Sequence, residues 1–313
     1  MTAPLTENLS MRRTALIFGF VGFLVCTAAT AMAQDLEPRA YAAAPTGANF
    51  IVVGVGRSSG GVVTDPSLPL EDVEATINAA TLGGGTTFSL FGRTALAVAA
   101  FPYVWGTVSG KLNETATSVT RSGLADPRLR LSVNLVGGRA LTPEEFVRAK
   151  RPTIVGVSLS VAPPLGQYDP SKLVNLGANR WSFKPEAGIS RLINKWTLDG
   201  YAGVLLFTTN DQFYTGSSSR TQAPIFALQG HVSYTFKPRL WLAFDGTWYS
   251  GGTTSINGVD KQDLIRNSRF GATASFPLFR QQSLKAAVSR GATTRVGANF
   301  TSLSVAWQFS WLN

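Results

Sequence analysis

One histidine and one cysteine stand among 313 residues. With so few, a zinc site of Cys and His is excluded, and so is a disulfide scaffold. His231 precedes Ser233 by two residues, and on an extended strand both project to the same side. A histidine beside a serine, oriented by an aspartate, is the arrangement that activates an acyl-transfer nucleophile. Positions i and i+2 lie too far apart for a direct hydrogen bond, however, and no motif fixes a third member. An outer-membrane hydrolase is therefore the remote reading; no enzyme, cofactor or metal site is expected. The remaining chemistry-bearing residues are single polar or charged side chains set into apolar segments: Glu74, Asn78, Arg128, Arg130, Lys184, Glu186, Asp199, Gln229, His231, Asp245, Arg269 and Lys285. Both signs occur. Lining a pore they would bias what passes; paired across strands they would fill an interior.

The elements that carry them have a period of two. Phe226, Leu228, Gly230, Val232, Tyr234 and Phe236 alternate with Ala227, Gln229, His231, Ser233 and Thr235, and Leu303, Val305, Trp307, Phe309 and Trp311 alternate with serines, Ala306 and Gln308. Such alternation places two sets on opposite faces of a strand. About twelve segments show it, near 49–57, 72–90, 94–105, 127–136, 153–162, 181–190, 195–207, 225–236, 239–250, 266–276, 283–289 and 299–311. Several reach the ~9 to 11 residues that a tilted strand needs to cross a bilayer. Long connections rich in Gly, Ser, Thr, Asn and Asp (58–71, 106–126, 163–180, 208–224, 251–265) alternate with short ones near Gly92-Arg93, 191–194, Lys237-Pro238 and 277–282. External loops and periplasmic turns of outer-membrane barrels alternate in this way. One connection, 137–152, is long where a short turn is due, and Thr142-Pro143-Glu144-Glu145 predicts a capping box opening a short helix on the periplasmic rim.

Charged residues make up 15% of the chain and hydrophobic ones 44%, with 7 Trp, 7 Tyr and 19 Phe; disorder is excluded. Arg12 and Arg13, the apolar run Ala15–Val25 and the sequence Ala31-Met32-Ala33 read as a signal peptide over 1–33, cleaved between Ala33 and Gln34. The expected protein is an all-β transmembrane antiparallel barrel of about twelve strands (range ten to fourteen) over 49–313, in the outer membrane. Residues 34–48 form an extension in or below the lumen. A soluble periplasmic barrel is the alternative fold. Leu, Val, Phe and Trp faces then meet lipid. Trp181, Trp196, Trp241, Trp248, Trp307 and Trp311 fall near strand ends, as aromatic girdles require. Ala95, Ala97, Ala99, Phe101, Tyr103 and Trp105 share one face of a segment apolar on both sides and are candidates for an aromatic stretch of lumen. The formal charge of +10 is assigned to rims: Arg191, Lys195, Lys237, Arg239 and Arg280 fall at turns, where lipid phosphates or water lie. Nucleic acid is not an expected partner. The final alternating strand, ending in Trp311, is similar to the C-terminal signal read by the outer-membrane assembly machinery.

At Glu37-Pro38-Arg39-Ala40-Tyr41, Pro45-x-Gly47-x-Asn49-Phe50, Gly60-Gly61, Asp65-Pro66-Ser67-Leu68-Pro69, Phe91-Gly92-Arg93 and Phe101-Pro102-Tyr103, the chain resembles the meta-pathway phenol-degradation family of outer-membrane proteins. The resemblance implies a Gram-negative outer-membrane barrel that helps aromatic compounds enter the cell. It supplies no catalytic residues. The expected function is passive uptake of small hydrophobic or aromatic molecules, with lipids, the assembly machinery and the solute as partners. The alternative is a structural or surface-interaction barrel without an open pore.

Overall fold

The computed structural model describes residues 36–64, 70–112, 114–150, 152–214 and 216–312; the signal-peptide segment and its Ala33–Gln34 cleavage point lie outside them, as does the Asp65–Pro69 stretch. In chain order the strands are β1 (Ala48–Val63), β2 (Leu70–Leu90), β3 (Arg93–Leu112), β4 (Thr115–Leu124), β5 (Arg128–Val136), β6 (Ile154–Ala162), β7 (Ser182–Ile193), β8 (Trp196–Phe207), β9 (Asn210–Phe213), β10 (Ser218–Gln222), β11 (Ile225–Lys237), β12 (Leu240–Gly251), β13 (Thr254–Ile256), β14 (Val259–Asp260), β15 (Ile265–Phe279), β16 (Gln282–Thr293) and β17 (Gly297–Leu312). A helix, α1 (Pro143–Arg148), lies between β5 and β6.

β1, β2, β3, β5, β6, β7, β8, β11, β12, β15, β16 and β17 form a closed antiparallel barrel of twelve strands. The seam pairs Ala48 with Leu312 and continues to Val63 with Gly297. Closure leaves no edge, as a lipid solvent demands of backbone polar groups. β4 pairs with Tyr103–Leu112 of β3, while β5 pairs with Ala95–Ala100. The two are one wall strand broken at Ala125-Asp126-Pro127. The stretch 106–126, expected as an irregular loop, is therefore mostly a hairpin. Its β-branched Thr107, Val108, Thr115, Thr117 and Val119 suit an extended ladder.

β2 and β3, with 21 and 20 residues, are longer than a membrane crossing requires. They project beyond it on the side of the long loops. There β9, β10, β13 and β14 form a separate four-stranded sheet from the connections after β8 and β12. The opposite rim is made of tight turns; in the first, Phe91 and Gly92 both have positive φ (50° and 74°), as a two-residue hairpin loop needs. The predicted capping box exists: Glu145 N–H donates to Thr142 Oγ1 (3.3 Å) and Thr142 N–H to Glu145 Oε2 (2.9 Å).

Alternation decides the faces. Val55, Phe226, Leu228 and Leu303 are 50–58% exposed on the outside, whereas Asp199, Gln229, His231 and Asp245 are 2–7% exposed.

Candidate functional site

Ten of the twelve polar residues singled out in the sequence turn into the lumen: Arg128, Arg130, Lys184, Glu186, Asp199, Gln229, His231, Asp245, Arg269 and Lys285 sit on the face opposite the exposed apolar residues. Glu74 and Asn78 do not. On β2 the buried Ala75 and Thr87 point inward, and the even positions, with Leu82 at 58% exposure, point outward. Asn78 lies twelve residues from the periplasmic end of β2 and Glu74 further still. Both lie where a strand of ~11 spanning residues has left the hydrocarbon, and water makes the outer face hospitable to polar groups. The aromatic run on β3 is corrected for a related reason. Phe101, Tyr103 and Trp105 are 53%, 44% and 40% exposed and face outward; the lumen receives Pro102, Val104, Gly106 and Val108 instead. Trp241 reverses the other way. It shares the inward face of Ala243 and Asp245 and lies under the Arg39 guanidinium, 4.7 Å from its centroid. Trp181, Trp196 and Trp248 are outward, at 45%, 48% and 41% exposure.

The lumen is occupied by the chain's own N-terminal segment. From Gly47 at the periplasmic mouth, residues 46 to 36 run up along the polar half of the wall. Tyr41 stands on Gly156 and Gly188, which face each other across the β6–β7 ladder. A Cβ at either glycine would overlap the tyrosine ring, so these two positions form its seat. Its hydroxyl meets Ser158 Oγ (2.9 Å) and donates to Glu186 Oε1 (3.2 Å), and its ring packs edge-on to Tyr201. Ala40 N–H donates to Tyr201 OH (3.0 Å). Arg39 donates from its backbone to Asp199 Oδ2 (3.2 Å), from Nε to Ser233 Oγ (2.9 Å) and from Nη2 to Thr235 Oγ1 (2.6 Å). Glu37 pairs with Arg130, which also reaches Glu186 Oε1 (3.2 Å); Lys184 holds the other oxygen of Glu186 at 2.7 Å. At the mouth, Thr46 N–H donates to Leu141 O (2.9 Å) and Gly47 N–H to Thr87 O (2.9 Å). The unusual 137–150 connection thus serves as a floor: residues 138–141 bond to the β2–β3 turn and to Thr46, and Phe146 faces Ala43 and Ala44.

Burial pushes the Glu37 carboxyl up, but Arg130, Lys184, Arg128 and Lys285 outweigh it and hold the group down at about 2. A depressed acid stabilises the docked state fully above its ordinary value of 4.5, and that contribution fades as pH falls through about 2. Segment docking, followed by the conductance of single barrels, is expected to be insensitive to pH from 7 to about 4.5 as far as Glu37 is concerned, with openings growing below that range.

Opposite the segment the wall is mainly apolar, with Arg121, Arg269 and Lys285 at its margins. Ile77, Ala79, Pro102, Val104, Val108 and Phe300 border a cavity of about 510 Å³, which Leu36 closes from the segment side and Val174–Leu176 from the external side. The external loop is pinned over it. Gly166 and Ala178 N–H both donate to Asp126 (2.8 Å each), at the β4–β5 break, and Arg121 Nε donates to Val174 O (3.1 Å). The lumen therefore has two characters: a charged, hydrogen-bonded half that holds the segment, and a mainly apolar half, bordered by Arg121, Arg269 and Lys285, left open beside it.

His231 and Asp245 do meet, Nδ1 to Oδ1 at 2.7 Å, and Thr273 Oγ1 donates to the other carboxylate oxygen at 2.8 Å. His231 is 2% and Ser233 0% exposed, and the Ser233 hydroxyl accepts from Arg39. The pair is built into the wall beneath the segment. Tyr41, Arg39, Tyr201 and Trp241 were not among the site residues expected from the sequence. For Tyr201 the signal existed, two residues along the inward face from Asp199.

The model of the family described as "Putative MetA-pathway of phenol degradation" matches residues 54–309. The chain belongs to this family. The match covers the barrel from β1 almost to the end of β17. Among solved structures, an outer-membrane channel from Pseudomonas putida F1 is similar with a TM-score of 0.74 and 22% identity, covering 88% of this chain and 100% of that one. The transport unit of the autotransporter AIDA-I from Escherichia coli aligns with a TM-score of 0.53 and 10% identity, over 94% and 99% of the two chains. These likenesses establish the outer-membrane barrel fold of this family member. No curated protein matches the sequence.

Proposed function

We propose that the protein is a passive outer-membrane channel for small apolar or aromatic molecules. The observation that carries this reading is the predominantly apolar cavity of about 510 Å³ beside the N-terminal segment. That volume lies within the ~300–1,000 Å³ of small-ligand sites. A hydrated ion or sugar gains nothing from Ile77, Val104 and Phe300, whereas an aromatic ring exchanges water for contact there at roughly 25 cal/mol per Å² of apolar surface. The family description, which names phenol degradation, and the similar channel from Pseudomonas putida support the same reading.

Cells with an intact lipopolysaccharide leaflet that express the protein are expected to take up an apolar fluorophore such as N-phenylnaphthylamine faster than cells without it. Val104→Asp puts a carboxylate into the apolar wall. It is expected to cut that rate about fivefold, since a charge on this wall costs an apolar solute about 1 kcal/mol of contact even with Arg121 on the neighbouring strand, while the barrel keeps its heat-modifiable migration on gels. The occupied lumen favours one second reading, a barrel sealed for a structural or surface role. Equal uptake with and without the protein would decide for it.

A further inference from the structure

We infer that one arc of the periplasmic rim is a binding surface for the headgroups of anionic glycerophospholipids in the adjoining leaflet. Three neighbouring hairpins build it: β7–β8, β11–β12 and β15–β16, whose strands pair β8 to β11 and β12 to β15. They carry Arg191, Lys195, Lys237, Arg239 and Arg280, all exposed. Within these hairpins the carboxylates are Glu186, Asp199 and Asp245, which are 6%, 7% and 5% exposed and face the lumen. The arc thus shows five cations to the outside and no anion, and none of the five has a carboxylate partner among the described residues.

The arc also continues the lipid-facing wall. Immediately above it lies a cluster of outward rings: Trp196 meets Tyr234 at 4.9 Å between centroids, and Tyr234 meets Phe236 at 4.9 Å. Phe236 and Phe279 are 54% and 71% exposed. Aromatic rings settle at the boundary between acyl chains and headgroups, so Lys195, Lys237, Arg239 and Arg280, nearer the turns, stand at phosphate depth, whereas Arg191, opposite Leu198 and two residues further from its turn than Trp196, reaches that depth through its long side chain. The other side of the rim differs. There α1 adds Glu144 and Glu145 beside Arg139, Arg148 and Lys150, and the charges are mixed. Arg239 donates to Phe279 O (3.1 Å), and a row of cations without carboxylate partners below an aromatic belt complements a row of lipid phosphates bearing net negative charge. Each cation near such a surface contributes about 1 kcal/mol, or about fivefold in affinity.

The test uses the full-length barrel in neutral detergent doped with phosphatidylglycerol or with phosphatidylcholine, and counts retained lipid by native mass spectrometry. Wild type is expected to prefer phosphatidylglycerol. Lys195→Gln with Lys237→Gln and Arg280→Gln is expected to lower the preference by at least about tenfold. Arg148→Gln with Lys150→Gln, on the mixed side, is expected to leave it unchanged. Equal retention of the two lipids by wild type, or an undiminished preference in the triple variant, overturns the inference. So does full displacement of the lipid by equimolar inorganic phosphate or by an acidic polypeptide, which would make the arc a general anion or protein site. Should the triple variant not fold, wild type alone decides: the preference must collapse on going from low to high salt, where exposed charges are screened.

Discussion

Deleting residues 36–45 is expected to raise the single-channel conductance of the barrel on the order of tenfold or more. Twelve strands enclose a lumen between the filled interior of eight-stranded barrels and the water-filled one of porins. Here the intermediate space is filled by a segment of the same chain, held by hydrogen bonds to the inward faces of β6, β7, β8 and β11. None of these bonds closes the barrel wall, so the deletion leaves the ladder intact. Planar-bilayer recordings of wild type and deletion, each shown to migrate as a folded barrel, supply the comparison. A deletion that seals as tightly as wild type would mean that the external loop at 163–181, rather than the segment, bars the way.

Arg130→Met is expected to destabilise the folded barrel by about 3 kcal/mol, the low end of the cost of breaking a buried ion pair. Arg130 joins the segment to the wall: it contacts Glu37 and Glu186 and lies 5.3 Å from the Tyr41 ring. Methionine fills similar space without the charge, so Glu37, 36% exposed, loses its ion-pair partner, and Glu186, 3% exposed, keeps Lys184 and the Tyr41 hydroxyl. The low end applies because that second cation remains. Urea unfolding in lipid vesicles measures the loss. Adding Glu37→Gln is expected to return part of it, since the neutral amide no longer needs a counter-charge. The same variant should open more often than wild type, which a purely structural role for Arg130 would not require.

Much of this was readable in the sequence, for a physical reason. A barrel in lipid exposes its apolar face and hides its polar one, so the period of two that places Gln229 and His231 inward is written with high contrast. Contrast fades where the solvent changes. Above the membrane both sides of the wall are wet, and there Glu74 and Asn78 turned out to face outward. It fades again where a strand is apolar on both sides, as on β3, where the lumen is mainly apolar and Phe101, Tyr103 and Trp105 went to the outer face. Trp241 was misplaced because aromatic residues near strand ends suit a girdle equally well as a lumen that holds an arginine. The segment's seat was least legible. Gly156 and Gly188 are single glycines in separate strands, and only the ladder brings them together under Tyr41.

The segment's attachment to β1 has a kinetic consequence. When Tyr41 leaves its two glycines the peptide remains tethered through Gly47 and Ala48 at the barrel's own mouth, at an effective concentration in the millimolar range. Return is then an intramolecular event, and closing a loop of about ten residues takes ~10–100 ns once the binding contacts are free. For the uptake proposed above, a brief vacancy of the seat would suffice, without leaving the membrane a lasting hole. Current records of the wild-type barrel should accordingly show short flickers whose frequency does not depend on how much protein the bilayer contains per channel.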